Sequence, residues 1–256
     1  MSLYVCRREN KGQPELVLLH GWGMGSDVWE EFAQALSPFF SLTLIDLPGL
    51  GRSSQYPEPY SAESVIDMLA DVAPEKAIWL GWSMGGQVSI EYAAKYPARV
   101  NALITVASNP CFVQRDDWPC AMDESTHQKF EQALEANQAK TLQRFIMLQT
   151  QGASEGRETL KMLKRIIKDV EPAAAKESLV LLRDDVRDKL SVLSMPVLQL
   201  FGEKDLLVPV EASTACEQLV GTKVKVYPGA GHLPFCSHGD DVLADIREFL
   251  QGSVTK

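Results

Sequence analysis

Lys76-Ala77-Ile78-Trp79-Leu80-Gly81-Trp82-Ser83-Met84-Gly85-Gly86 is the stretch on which the reading of the fold turns. Its apolar half has the texture of a buried strand, and Gln87 to Tyr96 behind it reads as a helix. Between them lies Gly-x-Ser-x-Gly, the pattern that holds a serine out on a strained strand-to-helix turn. Such a turn crowds its neighbours, so glycine on both flanks, with Gly86 as a third small residue, supplies the room. Ser83 is therefore the candidate nucleophile.

Outward from that turn the chain alternates strand and helix. Glu15–Leu19 is an apolar run ending at His20-Gly21-Trp22-Gly23. Ser26 or Asp27 is expected to cap a helix from Val28 to Leu36, with Trp29, Phe32, Ala33 and Leu36 on one face. A second strand, Leu42–Ile45, runs into the loop Asp46-Leu47-Pro48-Gly49-Leu50-Gly51-Arg52-Ser53. Ser61-Ala62-Glu63-Ser64 opens another helix, and Ala102–Ala107 is a strand. Short connections between alternating elements predict an α/β class with a doubly wound, mostly parallel sheet. Ligands of such sheets bind beyond the carboxyl ends of the strands, where both the His20 loop and Ser83 lie.

From about residue 111 to 190 strand texture disappears and amphipathic helical periodicity takes over, broken at Gly152, Gly156 and Pro172. Strands resume at Val197–Gly202 and Lys223–Tyr227, so the helical stretch is expected to be a lid inserted in one core made of residues 1–110 and 191–256. The 256 residues, 45% hydrophobic and 23% charged, suit one large globular unit. A net charge of −9 argues against a general nucleic-acid or anionic-membrane binder. No run approaches the ~20 apolar residues of a membrane span, and the N-terminus lacks a secretory pattern, so a cytoplasmic location is expected. Five scattered cysteines (Cys6, Cys111, Cys120, Cys216, Cys236) form neither a disulfide framework nor a metal motif.

A serine hydroxyl needs a base, and the base an orienting carboxylate. Three histidines follow Ser83. His127 lies among polar residues of the lid and reads as a solvated helix position; His238 is the alternative to His232. His232, in Pro228-Gly229-Ala230-Gly231-His232-Leu233-Pro234, sits on a flexible loop just past a strand and is preferred. Asp205, in Phe201-Gly202-Glu203-Lys204-Asp205, is the expected acid, with Glu203 the rival expected to face solvent. The amides of Met84 and Trp22 are the expected oxyanion donors. His20 is expected to brace its loop and Asp46 to hold a structural turn. Phe145 and Leu148 are apolar positions within the helical insertion. From Lys140 to Lys168, seven cations (Lys140, Arg144, Arg157, Lys161, Lys164, Arg165, Lys168) face two anions (Glu155, Glu158), a local +5 in an acidic protein. Arg157, Lys161, Lys164, Arg165 and Lys168 share one helical face, opposite Leu160, Leu163, Ile167 and Val170.

At these residues the chain resembles the α/β-hydrolases over nearly its full length, through His20-Gly21-Trp22-Gly23, the Asp46–Ser53 loop, the Ser83 turn, Asp205 and Gly231-His232. More narrowly it is similar to the pimeloyl-[acyl-carrier-protein] methyl ester esterases of biotin synthesis. That likeness is carried by Leu18–Met24, Ala77–Gly86, Thr105-Val106-Ala107-Ser108-Asn109-Pro110-Cys111-Phe112, Arg115–Pro119 and Arg144–Thr150. The resemblance implies a serine carboxylesterase without metal or organic cofactor, acting as a monomer on an acyl methyl ester held by acyl carrier protein. It implies substrate contacts from Trp22, Ser83, Met84, Phe145, Ile146, Met147, Leu148, Gln149 and His232. It also implies carrier docking on Lys140, Arg144, Arg157 and Lys161, two of which are lysines lacking the bidentate fork of arginine. A general short-chain carboxylesterase, a C–C bond hydrolase, and a silent binding protein of the same fold are the competing readings.

Overall fold

Seven strands form one sheet in the order β1-β3-β2-β4-β5-β6-β7 in the structure, a computed structural model that describes residues 2–154, 156–167, 172–220 and 222–254. The strands are β1 Val5–Arg8, β2 Glu15–Leu19, β3 Ser41–Ile45, β4 Ala77–Trp82, β5 Val100–Val106, β6 Val197–Gly202 and β7 Lys223–Tyr227. All neighbours pair in parallel except β1, which runs antiparallel along β3 with Val5 opposite Ile45. The helices are α1 Glu30–Leu36, α2 Ala62–Val72, α3 Met84–Lys95, α4 Glu124–Ala136, α5 Gln138–Thr150, α6 Gly156–Ile167, α7 Ala175–Ser178, α8 Arg187–Ser191, α9 Glu211–Val220, α10 Pro234–Ser237 and α11 Gly239–Val254.

The central strands are buried on both faces, as their unbroken apolar runs require. Alternation sends Val17, Leu19 and Trp79 to one face, where Val65 and Leu69 of α2 and Val88 and Tyr92 of α3 pack. Leu16, Leu18, Ile78 and Leu80 go to the other, against Phe32 and Leu36 of α1 and Ile246 and Phe249 of α11. Among the described residues no helix is long and apolar enough to cross a membrane. The cysteines are all free thiols, and burial pushes those of Cys216 and Cys236 up to about 12.

Side-chain caps start three of the helices. Ser61 Oγ accepts the Ser64 amide at 3.2 Å and caps α2. Asp123 and Asn137 accept the Thr126 and Lys140 amides, each at 2.9 Å, and cap α4 and α5. Neither Ser26 nor Asp27 caps α1. That chain enters through a 3₁₀ turn at Ser26–Trp29, and the Ser26 amide donates to Asp46 Oδ1 at 2.6 Å instead.

The segment between β5 and β6 opens not with a helix but with a loop of isolated bridges, Cys111 with Asp185, Val113 with Met122 and Arg115 with Trp118. Helices α4 to α8 follow. His127, expected in solvent, is only 3% exposed, because α4 turns it inward on the side that carries Leu134. Neither ring nitrogen has a hydrogen-bond partner among the described residues, and Glu131 Oε1 stands 3.6 Å from Nδ1. On α6, Arg157, Lys161, Lys164 and Arg165 are exposed and Leu163 is buried, as the spacing predicts. Lys168 and Val170, the last positions of that pattern, and Glu155 lie outside the described residues.

Candidate active site

Ser83 stands between β4 and α3 with φ 54° and ψ −122°, a conformation that costs an L-residue on the order of 1–3 kcal/mol. Its glycines are enforced by contact. A Cβ on Gly81 would lie 2.2 Å from Gly85 O, and one on Gly85 2.5 Å from both Leu19 O and His20 O. A Cβ on Gly86 would lie 2.6 Å from Ser108 Cβ and Oγ. The Ser83 amide donates to Val106 O at 2.8 Å, which ties the turn to β5.

Asp205 follows β6 and His232 follows β7. The two loops can approach because Gly202 carries no side chain: a Cβ there would meet Gly231 O at 2.1 Å. His232 Nδ1 lies 2.7 Å from Asp205 Oδ2, and both side chains are buried. A carboxylate only accepts, so Nδ1 carries a proton, and in the neutral imidazole Nε2 then keeps its lone pair. Asp205 Oδ1 accepts the amides of Leu207 and Val208 at 2.8 and 3.1 Å, which fixes the carboxylate plane. Nε2 of His232 is buried with no hydrogen-bond partner among the described residues. The loop is drawn to the Ser83 turn by Trp82, whose Nε1 donates to His232 O at 2.8 Å and whose ring centre lies 5.5 Å from the imidazole.

Met84 opens α3, and a first-turn amide has no acceptor within its own helix. Trp22 lies in a turn closed by the Met24 amide on Gly21 O at 3.3 Å, with Gly23 at φ 71°. The turn bonds at these two places are made by the amides of Met24, Gly86 and Gln87, not by those of Trp22 and Met84. His20 braces the same loop. Its Nε2 accepts the Leu47 amide at 2.9 Å, so Nδ1 donates to Gly21 O at 2.8 Å, and complete burial lowers its pKa. Asp46 holds the neighbouring turn by accepting the Ser26 and Arg52 amides. Glu203 is exposed and accepts the Gly229 amide at 2.9 Å; His238 bonds Ser237 Oγ at 2.8 Å. Neither joins the Asp205–His232 pair.

The helical segment reaches these groups through α5 and α7. Phe145 is buried with its ring 5.0 Å from Trp22 and 5.6 Å from Phe130, and Ile146 is buried in the core. Gln149 O accepts the His232 amide at 3.3 Å, while its side-chain amide is 1% exposed and has no partner among the described residues. Trp22 Nε1 donates to Ala175 O at 2.9 Å. Met147 and Leu148 point outward, 44% and 39% exposed. Lys140 and Arg144 on α5 and Arg157 and Lys161 on α6 are exposed, with Lys161 paired to Glu158 at 2.8 Å. Sequence reasoning missed Ser108, whose hydroxyl donates to Ser83 O at 2.8 Å, and Gln87, whose Nε2 donates to Asp184 O at 2.8 Å. Gln87 was findable: it lies one helical turn beyond Ser83, so the two share a face.

A family described as alpha/beta hydrolase fold matches residues 14–238. A Pectobacterium carotovorum protein named pimeloyl-[acyl-carrier protein] methyl ester esterase is 39% identical over 98% of this chain and all of its own length. A Yersinia enterocolitica protein of the same name is 39% identical over 96% of each chain. Among solved structures, an esterase from Exiguobacterium antarcticum superposes with a TM-score of 0.85 at 22% identity, covering 97% of this chain and 95% of that one. A bromoperoxidase from Bacillus anthracis reaches 0.86 at 20% identity, covering 97% and 96%. At those identities the superpositions speak for the fold alone.

Proposed function

Since the chain belongs to the alpha/beta hydrolase fold family, and within it to the pimeloyl-[acyl-carrier protein] methyl ester esterases, we propose that it hydrolyses the methyl ester of pimeloyl-[acyl-carrier protein], releasing methanol and the free carboxylate for biotin synthesis. The observation that carries this reading is the 39% identity spanning 98% of the chain.

In this proposal His232 Nε2 takes the proton of Ser83, and Ser83 Oγ attacks the ester carbonyl. The amides of Trp22 and Met84 receive the oxyanion. His232 then hands its proton to the departing methoxide, and methanol leaves the acyl-enzyme. A water gives its proton to His232 and attacks the acyl carbonyl; as the tetrahedral intermediate collapses, the bond to Ser83 Oγ breaks, His232 returns that proton to Oγ, and the released acid ionises to the carboxylate. Asp205 keeps the imidazole in the required tautomer, a role supported by its 2.7 Å contact with Nδ1. The core of residues 1–110 and 191–256 supplies this chemistry, and the helical lid of 111–190 supplies the acyl side, with Phe145, Ile146 and Gln149 nearest the catalytic loops and Met147 and Leu148 on its outer surface. Lys140, Arg144, Arg157 and Lys161 would receive the acidic carrier by charge complementarity.

Mass spectrometry of methyl pimeloyl-carrier protein after exposure to the enzyme tests the reading. The product is expected to be 14 Da lighter, the mass of one CH₂ (roughly, from the change of CO₂CH₃ to CO₂H), and absent with Ser83→Ala. Equal efficiency on short p-nitrophenyl esters and on the carrier-bound ester would favour a general carboxylesterase.

A further inference from the structure

Two residues other than glycine have positive φ among the described residues, Ser83 at 54° and Ala107 at 45°. They lie side by side. Trp82 pairs with Val106 across the β4–β5 ladder, so both strands end in a strained residue at the same level. The Ala107 turn is pinned from the far side, its amide donating to Leu200 O on β6 at 2.7 Å. That kink brings Ser108 under the serine turn, where it is buried with Gly86 packed against it and its hydroxyl donates to Ser83 O at 2.8 Å.

The Ser83 carbonyl and the Met84 amide belong to one planar trans peptide and point in opposite directions. Whatever fixes the carbonyl therefore fixes the direction of the amide. Two other donors reach Ser83 O, the amides of Gly86 at 2.9 Å and Gln87 at 3.4 Å, but both belong to α3 and move with it. Ser108 is the donor that comes from the sheet. A hydrogen bond to the carbonyl also polarises the N–H of the same peptide, which strengthens it as a donor. We propose that Ser108 is a positioning residue for the reaction: through the Ser83–Met84 peptide it aims and strengthens the Met84 oxyanion donor. This rests on the reading of Ser83 as nucleophile. It also gives the strain at Ala107 a purpose, since an unkinked strand end would carry the hydroxyl past the carbonyl.

The test is Ser108→Ala and Ser108→Cys, assayed for kcat and KM on a p-nitrophenyl ester and on the methyl ester. Alongside these, the Ki of a trifluoromethyl ketone that forms a tetrahedral oxyanion on Ser83 is measured. Alanine keeps the Cβ that packs on Gly86 and leaves Ser83 O bonded to two amides, so the fold should survive, as a thermal melt would check. Removing an oxyanion donor costs ~10²–10³ in kcat; misaiming one is expected to lower kcat by ~10-fold in Ser108→Ala, with KM within about twofold. Ki should rise by the same ~10-fold, and Ser108→Cys, a weaker donor, should fall between. Folded Ser108→Ala with unchanged kcat and Ki overturns the inference, as does a loss confined to KM. Ser83→Ala separates the two levels. If it stays active the nucleophile assignment has failed; if it is inert while Ser108→Ala is fully active, only the role of Ser108 has.

Discussion

Replacing His127 by leucine should make the protein more stable, and more so as the solution is acidified. The imidazole is buried on α4 with both nitrogens unpartnered among the described residues, and burying an unsatisfied polar group costs ~1–3 kcal/mol. Leucine fits the spacing of Phe130 and Leu134, three and seven positions on, and strands no charge. Arg183 holds Glu131 by itself through contacts of 2.8 and 2.7 Å and reaches Glu124 at 3.0 Å. A gain of about 2 kcal/mol corresponds to a rise in Tm of ~4–8 °C for a chain of this size. The pH dependence has a definite sign. Burial lowers the pKa of His127 despite the nearby Glu131, so below pH ~6.5 the unfolded chain binds a proton that the folded chain refuses. Stability on this account is full above ~6.5 and falls with pH at up to ~1.4 kcal/mol per unit, down to the folded pKa. His20 has the same sign and remains in the variant, so the variant keeps one such loss where the parent has two. Thermal melts of parent and His127→Leu between pH 8 and pH 5 should therefore diverge below pH ~6.5. Curves that stay parallel, or a parent more stable than the variant in acid, would refute the reasoning.

Asp205→Asn should lower kcat by ~10³–10⁴ with the fold intact. The Leu207 and Val208 amides would still claim the side-chain oxygen, leaving the NH₂ to face His232 Nδ1 and force the proton onto Nε2; steady-state kinetics with circular dichroism checks it, and a loss under ~10-fold would contradict the assigned role. Arg144→Glu with Arg157→Glu should raise KM for the carrier-linked ester several-fold while leaving a p-nitrophenyl ester unaffected; equal losses on both substrates would point to lid geometry instead of docking.

The parts legible in the sequence are those whose constraints are local. Gly81, Gly85 and Gly86 are demanded by contacts within a few residues of Ser83 or with the adjoining strand ends, and Asp205 and His232 sit just past apolar runs that can hardly be anything but strands. What escaped was non-local. β1 is an edge strand that pairs on one side, so Val5-Cys6-Arg7-Arg8 has too little apolar pattern to stand out from a polar tail. The burial of His127 escapes a local reading because its sequence neighbours are polar; the i, i+3, i+7 spacing with Phe130 and Leu134 is the available signal. Ser26 loses its capping role to Asp46, twenty residues on, which no local rule anticipates. Ser108 can be understood only once β4 and β5 are known to end at one level.

Most hydrogen bonds that join the helical segment to the strand-bearing core use the segment's main chain. His232 N–H bonds Gln149 O, Trp22 Nε1 bonds Ala175 O, and Gln87 Nε2 bonds Asp184 O, while in the other direction the amides of Ser154 and Ala174 donate to Gly229 O at 3.1 Å and Gly49 O at 2.9 Å. Every amino acid carries a main-chain carbonyl and all but proline an amide, so most side chains of the segment can be rewritten while these main-chain moorings persist. Grafting a foreign helical segment onto this core would be a problem of matching main-chain oxygen and amide positions, and divergence within such enzymes is free to concentrate where substrates differ and the chemistry does not.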